Sequence, residues 1–208
     1  MGRRAALRAK VLDDIRSAAL GELRRVGASA LSLREVASAA GISPSGLYRY
    51  VDGRDGLLEL LISDGFAAFG AAIDKTISAA PDDVVARMEA AARGYRRWAL
   101  DNPEMFGLIL GTPVPGFHAT ADGPTVESVR RFAEPLVRVV SAAGVVPEEM
   151  QGVIVRSWSR VHGLVALEVF GHLSWSGLDA ETLLRTEVRA IAGEIGRRDS
   201  GAAATTRR

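Results

Sequence analysis

The side chains best suited to chemistry lie close together, in residues 32–54, SLREVASAAGISPSGLYRYVDGR. Arg34 and Arg49 are planar, multi-donor forks that can grip a guanine edge or a phosphate, and Ser45, Tyr48 and Tyr50 offer hydroxyls to phosphate oxygens. Gly46 is poor helix material, costing roughly 1 kcal/mol against alanine, but a missing side chain lets the backbone approach a groove closely. Two arginines and two tyrosines on one exposed edge are costly for a surface that meets only water. They suit phosphate and base-edge contacts.

These side chains need a scaffold, and the same stretch supplies one. Ser32 is a good N-cap with Glu35 three residues on, as a capping box requires, and Gly41 stops the helical run 33–40. Ser43 caps a shorter helix over 45–50, with Pro44 at its first position. Leu33, Val36, Ala37, Ala40, Ile42 and Leu47 have the spacing of a small shared core, which leaves Arg34, Ser45, Gly46, Tyr48, Arg49 and Tyr50 facing outward. Two short capped helices around a tight Gly-Ile-Ser turn have the shape of a helix-turn-helix, whose second helix enters the DNA major groove. Upstream, Val11, Ile15, Ala18, Ala19, Leu23 and Val26 recur in steps of three and four, and Gly27 ends that helix. Charge divides along the same line. Residues 1–54 hold ten Lys/Arg against five Asp/Glu, and residues 55–196 hold twelve against nineteen. A net charge of +1 therefore hides a basic module on an acidic body, so a polyanion is expected at one end only. Arg3, Arg4, Arg8 and Lys10 form a basic leader placed to reach phosphate or the minor groove.

The run from Gly41 to Tyr50 (GISPSGLYRY), followed by Arg54 ahead of Leu57-Leu58 and preceded by VLDDIRSAALGELRRVG, resembles the TetR family of bacterial one-component repressors. The likeness covers about a quarter of the chain. It implies a nine-helix protein, with three N-terminal helices for DNA and the rest for ligand binding and dimerisation. It also implies that Arg34 reads a base, that Ser45 and Gly46 face the groove, and that Tyr48, Tyr50 and Arg54 grip phosphates. With Arg49 and the cap serines Ser32 and Ser43, these form the expected DNA-contacting set. Leu31 and Gly46 stand where threonine is common in the family, which removes two hydroxyls. A shorter motif, Trp158 with His162-Gly163, is similar to a subgroup of TetR-like C-terminal domains that carry Trp…His-Gly on the penultimate long helix.

Beyond residue 54 the pattern stays helical, with runs near 54–79, 83–101, 104–110, 126–143, 147–173 and 180–196. The expected fold is all-α with about nine helices. Its expected divisions are a helix-turn-helix domain over 1–54, a regulatory domain over 55–198 and an unstructured tail over 199–208. The loop at 111–125, interrupted by Pro113, Pro115 and Pro124, is long enough to be functional and is the expected gate of a pocket. Tyr95, Trp98, Phe106, Leu110, Phe117, Phe132, Trp158 and His162 are the candidate ligand-binding set, with few acids among them, which points to a mainly apolar effector held by one or two polar groups. Trp158 and His162 are four apart and share a helical face. Val161, Leu164 and Val165, with Leu184, Val188 and Ile191, are the candidate dimer interface, since two long apolar helices per chain suit an isologous four-helix contact.

Several chemistries find no pattern. The chain has no cysteine, and its histidines, His118, His162 and His172, have no i, i+4 spacing, so no metal or other cofactor is expected. No G-x-S-x-G and no GK[ST] phosphate cradle occurs, so no catalytic residue is assigned and an enzyme is not expected. No secretory signal or membrane span is expected either. The partners expected are double-stranded DNA with a near-palindromic operator, a small-molecule effector and a second copy of the chain, all in the cytoplasm. A non-specific DNA-organising protein is the alternative, and base reading by Arg34 and Arg49 argues against it.

Overall fold

The computed structural model describes residues 2–118 and 123–205 and contains only helices and connecting turns among them. In chain order these are α1 (Arg3–Val26), α2 (Leu33–Ala39), α3 (Pro44–Leu47), α4 (Gly53–Ser78), α5 (Val84–Asp101), α6 (Pro103–Leu110), α7 (Pro124–Ala142), α8 (Pro147–Val169) and α9 (Ala180–Thr205). The all-α expectation holds. Two compact units result, one of residues up to Ala67 with Glu104–Val129, the other of Ala68–Pro103 with Arg130 onward.

In the first unit the capping signals work as local chemistry requires. Ser32 Oγ accepts from the Glu35 amide and Ser43 Oγ from the Gly46 amide. Gly41, at φ 68°, provides the left-handed step that ends α2. Ile15, Ala19 and Leu23 of α1 are buried with Val36, Ala37 and Leu47, so the three short elements share one core. Arg16 on α1 also pairs with Asp64 on α4 at 2.7 Å. The third helix is shorter than the expected 45–50. After Leu47 the backbone tightens, the amides of Arg49 and Tyr50 reaching back three residues to Gly46 and Leu47. Much of the hydrophobic α4 is a core helix: the one described stretch long and apolar enough to cross a membrane lies there, and half of that stretch is buried inside the chain.

In the second unit α5 is the centre, with Ala90, Ala91, Ala92, Gly94, Tyr95, Trp98 and Ala99 all buried. Asp83 Oδ1 accepts from the Ala86 amide and starts the helix. Helices α8 and α9 pack on it and on each other. Arg96 of α5 makes two 2.7 Å bonds to Glu168 of α8, Arg160 of α8 holds Glu187 and Glu194 of α9, and Arg189 of α9 reaches Glu89 of α5 at 2.8 Å. Helix α8 stops before the expected residue 173 because Gly171, at φ 77°, turns the chain and lets the His172 amide bond back to Leu167. Helix α9 runs on to Thr205, past the expected end at 196 and into the segment read as an unstructured tail. Residues 197–205 contain no proline, and Ala202–Ala204 are strong helix formers.

Candidate functional site

The helix-turn-helix presents a polar edge built from short elements. Arg34 stands exposed in the first turn of α2, and Ser45, Tyr48 and Arg49 are exposed on and just after α3, Tyr48 at 60%. Ser43 and Ser45 hydroxyls lie 3.1 Å apart, so the cap and its neighbour form one small hydroxyl cluster at the start of α3. Tyr50 is half-buried, and the Arg8 guanidinium sits 5.3 Å above its ring. The basic leader is thereby part of α1, with Arg8 held over the helix-turn-helix.

Two residues of the expected DNA-contacting set also have tasks within the fold. Arg54 Nη2 donates to the carbonyl oxygens of Ala28 and Ser29 at 3.0 and 3.3 Å, so this side chain ties the start of α4 to the α1–α2 turn. That bond engages one guanidinium nitrogen with two carbonyls that lack helical partners, and gives Arg54 a part in holding the turn beside the phosphate contact expected of it. Gly46 also has an internal reason to lack a side chain, since a Cβ there would sit 3.1 Å from Ser43 Oγ and crowd the cap.

The second unit holds a partly open apolar cavity of about 80 Å³, lined by residues of α5, α7, α8 and α9. Tyr95 and Trp158, both expected at a ligand site, line it. Trp158 Nε1 donates to Tyr95 Oη at 3.3 Å, and Tyr95 Oη lies 2.9 Å from His162 Nδ1. The indole donates to the Tyr95 oxygen, and the Tyr95 hydroxyl and the imidazole share one hydrogen bond whose donor is set by the His162 tautomer. Burial favours the neutral form of both groups, lowering the His162 pKa and pushing the Tyr95 phenol up. The Trp158 and His162 rings are 5.2 Å apart on the shared face.

The rest of the expected ligand set is divided. Trp98 stacks on Phe69 at 4.1 Å, and Phe132 lies 4.9 Å from the same ring, so both are aromatic core beside Tyr95 and not cavity wall. Phe69, the hub of that cluster, escapes the sequence reading because an apolar residue in an apolar helix carries no distinguishing signal. Phe106, Leu110 and Phe117 belong to the other unit. The loop at 111–125 starts there too, and its residues 119–122 lie outside the described residues. Most of the actual wall is aliphatic, including Met88, Leu136, Val139, Val140 and Ile154.

Four of the six residues expected at a dimer interface are core residues of a single chain. Val165, Leu184, Val188 and Ile191 are buried, and Val188 and Ile191 with the half-buried Val161 line the cavity. Leu164 is half-buried. The correction has a simple origin. Apolar periodicity finds the buried face of a helix, and here that face packs within the chain.

A helix-turn-helix with an exposed basic edge, joined to a helical unit around an apolar cavity, defines a DNA-binding regulator. The comparison with known proteins agrees. Residues 15–69 match the family model described as bacterial regulatory proteins, tetR family, and residues 88–191 match the tetracyclin repressor-like C-terminal domain. The HTH-type transcriptional regulator Rv1816 of Mycobacterium tuberculosis is 30% identical, covering 91% of this chain and 97% of its own length. The regulatory protein SCO4313 superposes with a TM-score of 0.80 at 30% identity, covering 93% of this chain and 100% of its own. A TetR variant from Acinetobacter baumannii AYE, solved in complex with minocycline, shares the fold, with a TM-score of 0.61 at 18% identity over 88% of this chain and 94% of that one. The chain belongs to the TetR family: it is a DNA-binding transcriptional regulator and not an enzyme.

Proposed function

We propose that this regulator is a cytoplasmic, homodimeric repressor that reads a near-palindromic operator and leaves it when a small, mainly apolar effector fills the cavity. The observation that carries the reading is the exposed edge of Arg34, Ser45, Tyr48 and Arg49 on a capped, well-packed scaffold. Arg34 reads a base edge; Tyr48 and Arg49 meet the backbone and the groove. Binding of an antibiotic by the Acinetobacter protein supports the idea of a ligand in the helical unit. Helix α4 contributes residues to both units.

For assembly, the outward stripe of α8 replaces the buried residues. Val155 (53% exposed), Ser159, Gly163 and Phe170 (47% exposed) recur along it, and Gly163 has open space where a Cβ would lie. A second α8 approaching there gives the two-fold symmetry that a palindrome needs.

The test is selection of bound sites from random duplex DNA, followed by a reporter driven by the promoter that carries the selected site. Enrichment of a two-fold-related sequence, and reporter output that rises when the regulator is removed, are expected. Binding without sequence enrichment contradicts the reading, and output that falls on removal makes the protein an activator.

A further inference from the structure

Helices α5, α7 and α9 share a crevice that is filled differently along its length. At one level it holds the 80 Å³ apolar cavity, beside Met88, Val139 and Val188. At the next level the same three helices leave an open groove of about 360 Å³, beside Val84, Ala143, Ala192 and again Met88. The step is the same on each side, four residues back along α5, four forward along α9 and four forward from Val139 to Ala143 just past the end of α7, or about 6 Å of helix axis. Five of the nine groove residues are alanine or glycine (Ala142, Ala143, Gly144, Ala192, Gly196), so the groove is made by missing side chains. Met88 stands on both walls, and its unbranched thioether can swing where a branched side chain could not.

We propose that the groove is the mouth of the cavity and Met88 its door, and that the ligand is an elongated aliphatic molecule whose chain passes Met88 to lie against Trp158 while its polar end stays at the mouth. This rests on the reading of the cavity as an effector site. The cavity alone is far below the roughly 300–1,000 Å³ of ordinary ligand pockets, whereas the adjoining groove of about 360 Å³ supplies the missing room. A narrow bore lined by aliphatic side chains takes a chain more readily than a fused ring. The polar groups at the inner end, Tyr95 Oη, Trp158 Nε1 and His162 Nδ1, already bond one another, so the inner end makes no demand for a polar head. The open groove lets such a head stay in water.

The test is stopped-flow quenching of tryptophan emission by ω-bromooctanol, whose terminal bromine quenches an indole that it touches. The full chain carries Trp175→Phe to remove the exposed indole, and adding Trp158→Phe gives the blank. The expected result is a quenching phase that vanishes with Trp158→Phe, runs about tenfold faster in Met88→Ala and is slowed in the similarly sized but branched Met88→Leu. Ala192→Phe, which fills the groove and leaves the cavity wall untouched, should slow the phase by about tenfold or abolish it. A second plug, Ala143→Phe, gives the same answer if Met88→Ala does not fold, with thermal melts as the control. A Trp158 phase that both plugs leave unaltered overturns the route and leaves the effector cavity standing. No Trp158 quenching in any variant or in the parent overturns the cavity reading and the route with it.

Discussion

At the scale of single residues, two arginines of the same short segment separate into different tasks. Arg34 is exposed with its fork free for a base edge, so Arg34→Ala should lower operator affinity by about 1–3 kcal/mol and relax preference at one base pair. Arg54 holds two turn carbonyls, so Arg54→Ala should lower the melting temperature of the free protein, a loss of about 1–3 kcal/mol from charged hydrogen bonds. Competition binding on operator and scrambled duplexes, with thermal melts alongside, separates the two. Equal stability of Arg54→Ala and the parent would leave Arg54 only its expected phosphate contact. His162 gives a pH signature. The unfolded imidazole takes up its proton near pH 6.5, whereas burial holds the folded one neutral to lower pH. Below about pH 6.5 the unfolded state therefore binds more protons, and stability falls as pH falls through that window. The urea midpoint of the parent should drop between pH 7.5 and 5.5 by more than that of His162→Gln.

At the scale of elements, two glycines predict opposite signs for one substitution. A Cβ on Gly94 of α5 would lie 2.3 Å from Thr76 Oγ1 and 3.2 Å from Ile73 Cα, and Thr76 is tied down by its bond to the Ile73 carbonyl. Gly94→Ala should therefore destabilise by about 1–3 kcal/mol through overpacking. Gly21, exposed in α1 with open space around its Cβ position, should gain up to about 1 kcal/mol as Gly21→Ala. Urea unfolding of the two variants measures both. The elements themselves were largely legible in the sequence, because their signals are local: Ser32 and Ser43 at N-caps, Gly27 and Gly41 at stops, Asp83 ahead of α5. What was not legible depends on distant partners. Nothing in the spacing of Val165, Leu184, Val188 and Ile191 tells whether their shared apolar face meets another chain or, as here, the chain's own α5. Nothing in the type of Arg54 reveals the carbonyls of Ala28 and Ser29. The Tyr95–His162 bond joins residues 67 apart and becomes visible only when α5 and α8 are set side by side.

At the scale of the whole molecule, a basic N-terminal segment and an acidic helical segment share one chain, and its working unit is proposed to be two copies. Sedimentation at micromolar concentration should give twice the 22.1 kDa chain mass, and Val155→Arg should give the single-chain mass with an unchanged thermal melt. Such a monomer should lose operator affinity, because one head meets only one half-site. The central claim is sequence-specific binding of duplex DNA, and it is tested most directly by titrating a selected site and a scrambled duplex of equal length at the same physiological salt. The account predicts a preference of about a thousandfold or more for the selected site, together with a steep loss of both affinities as salt rises. Equal affinity for the two duplexes would contradict it.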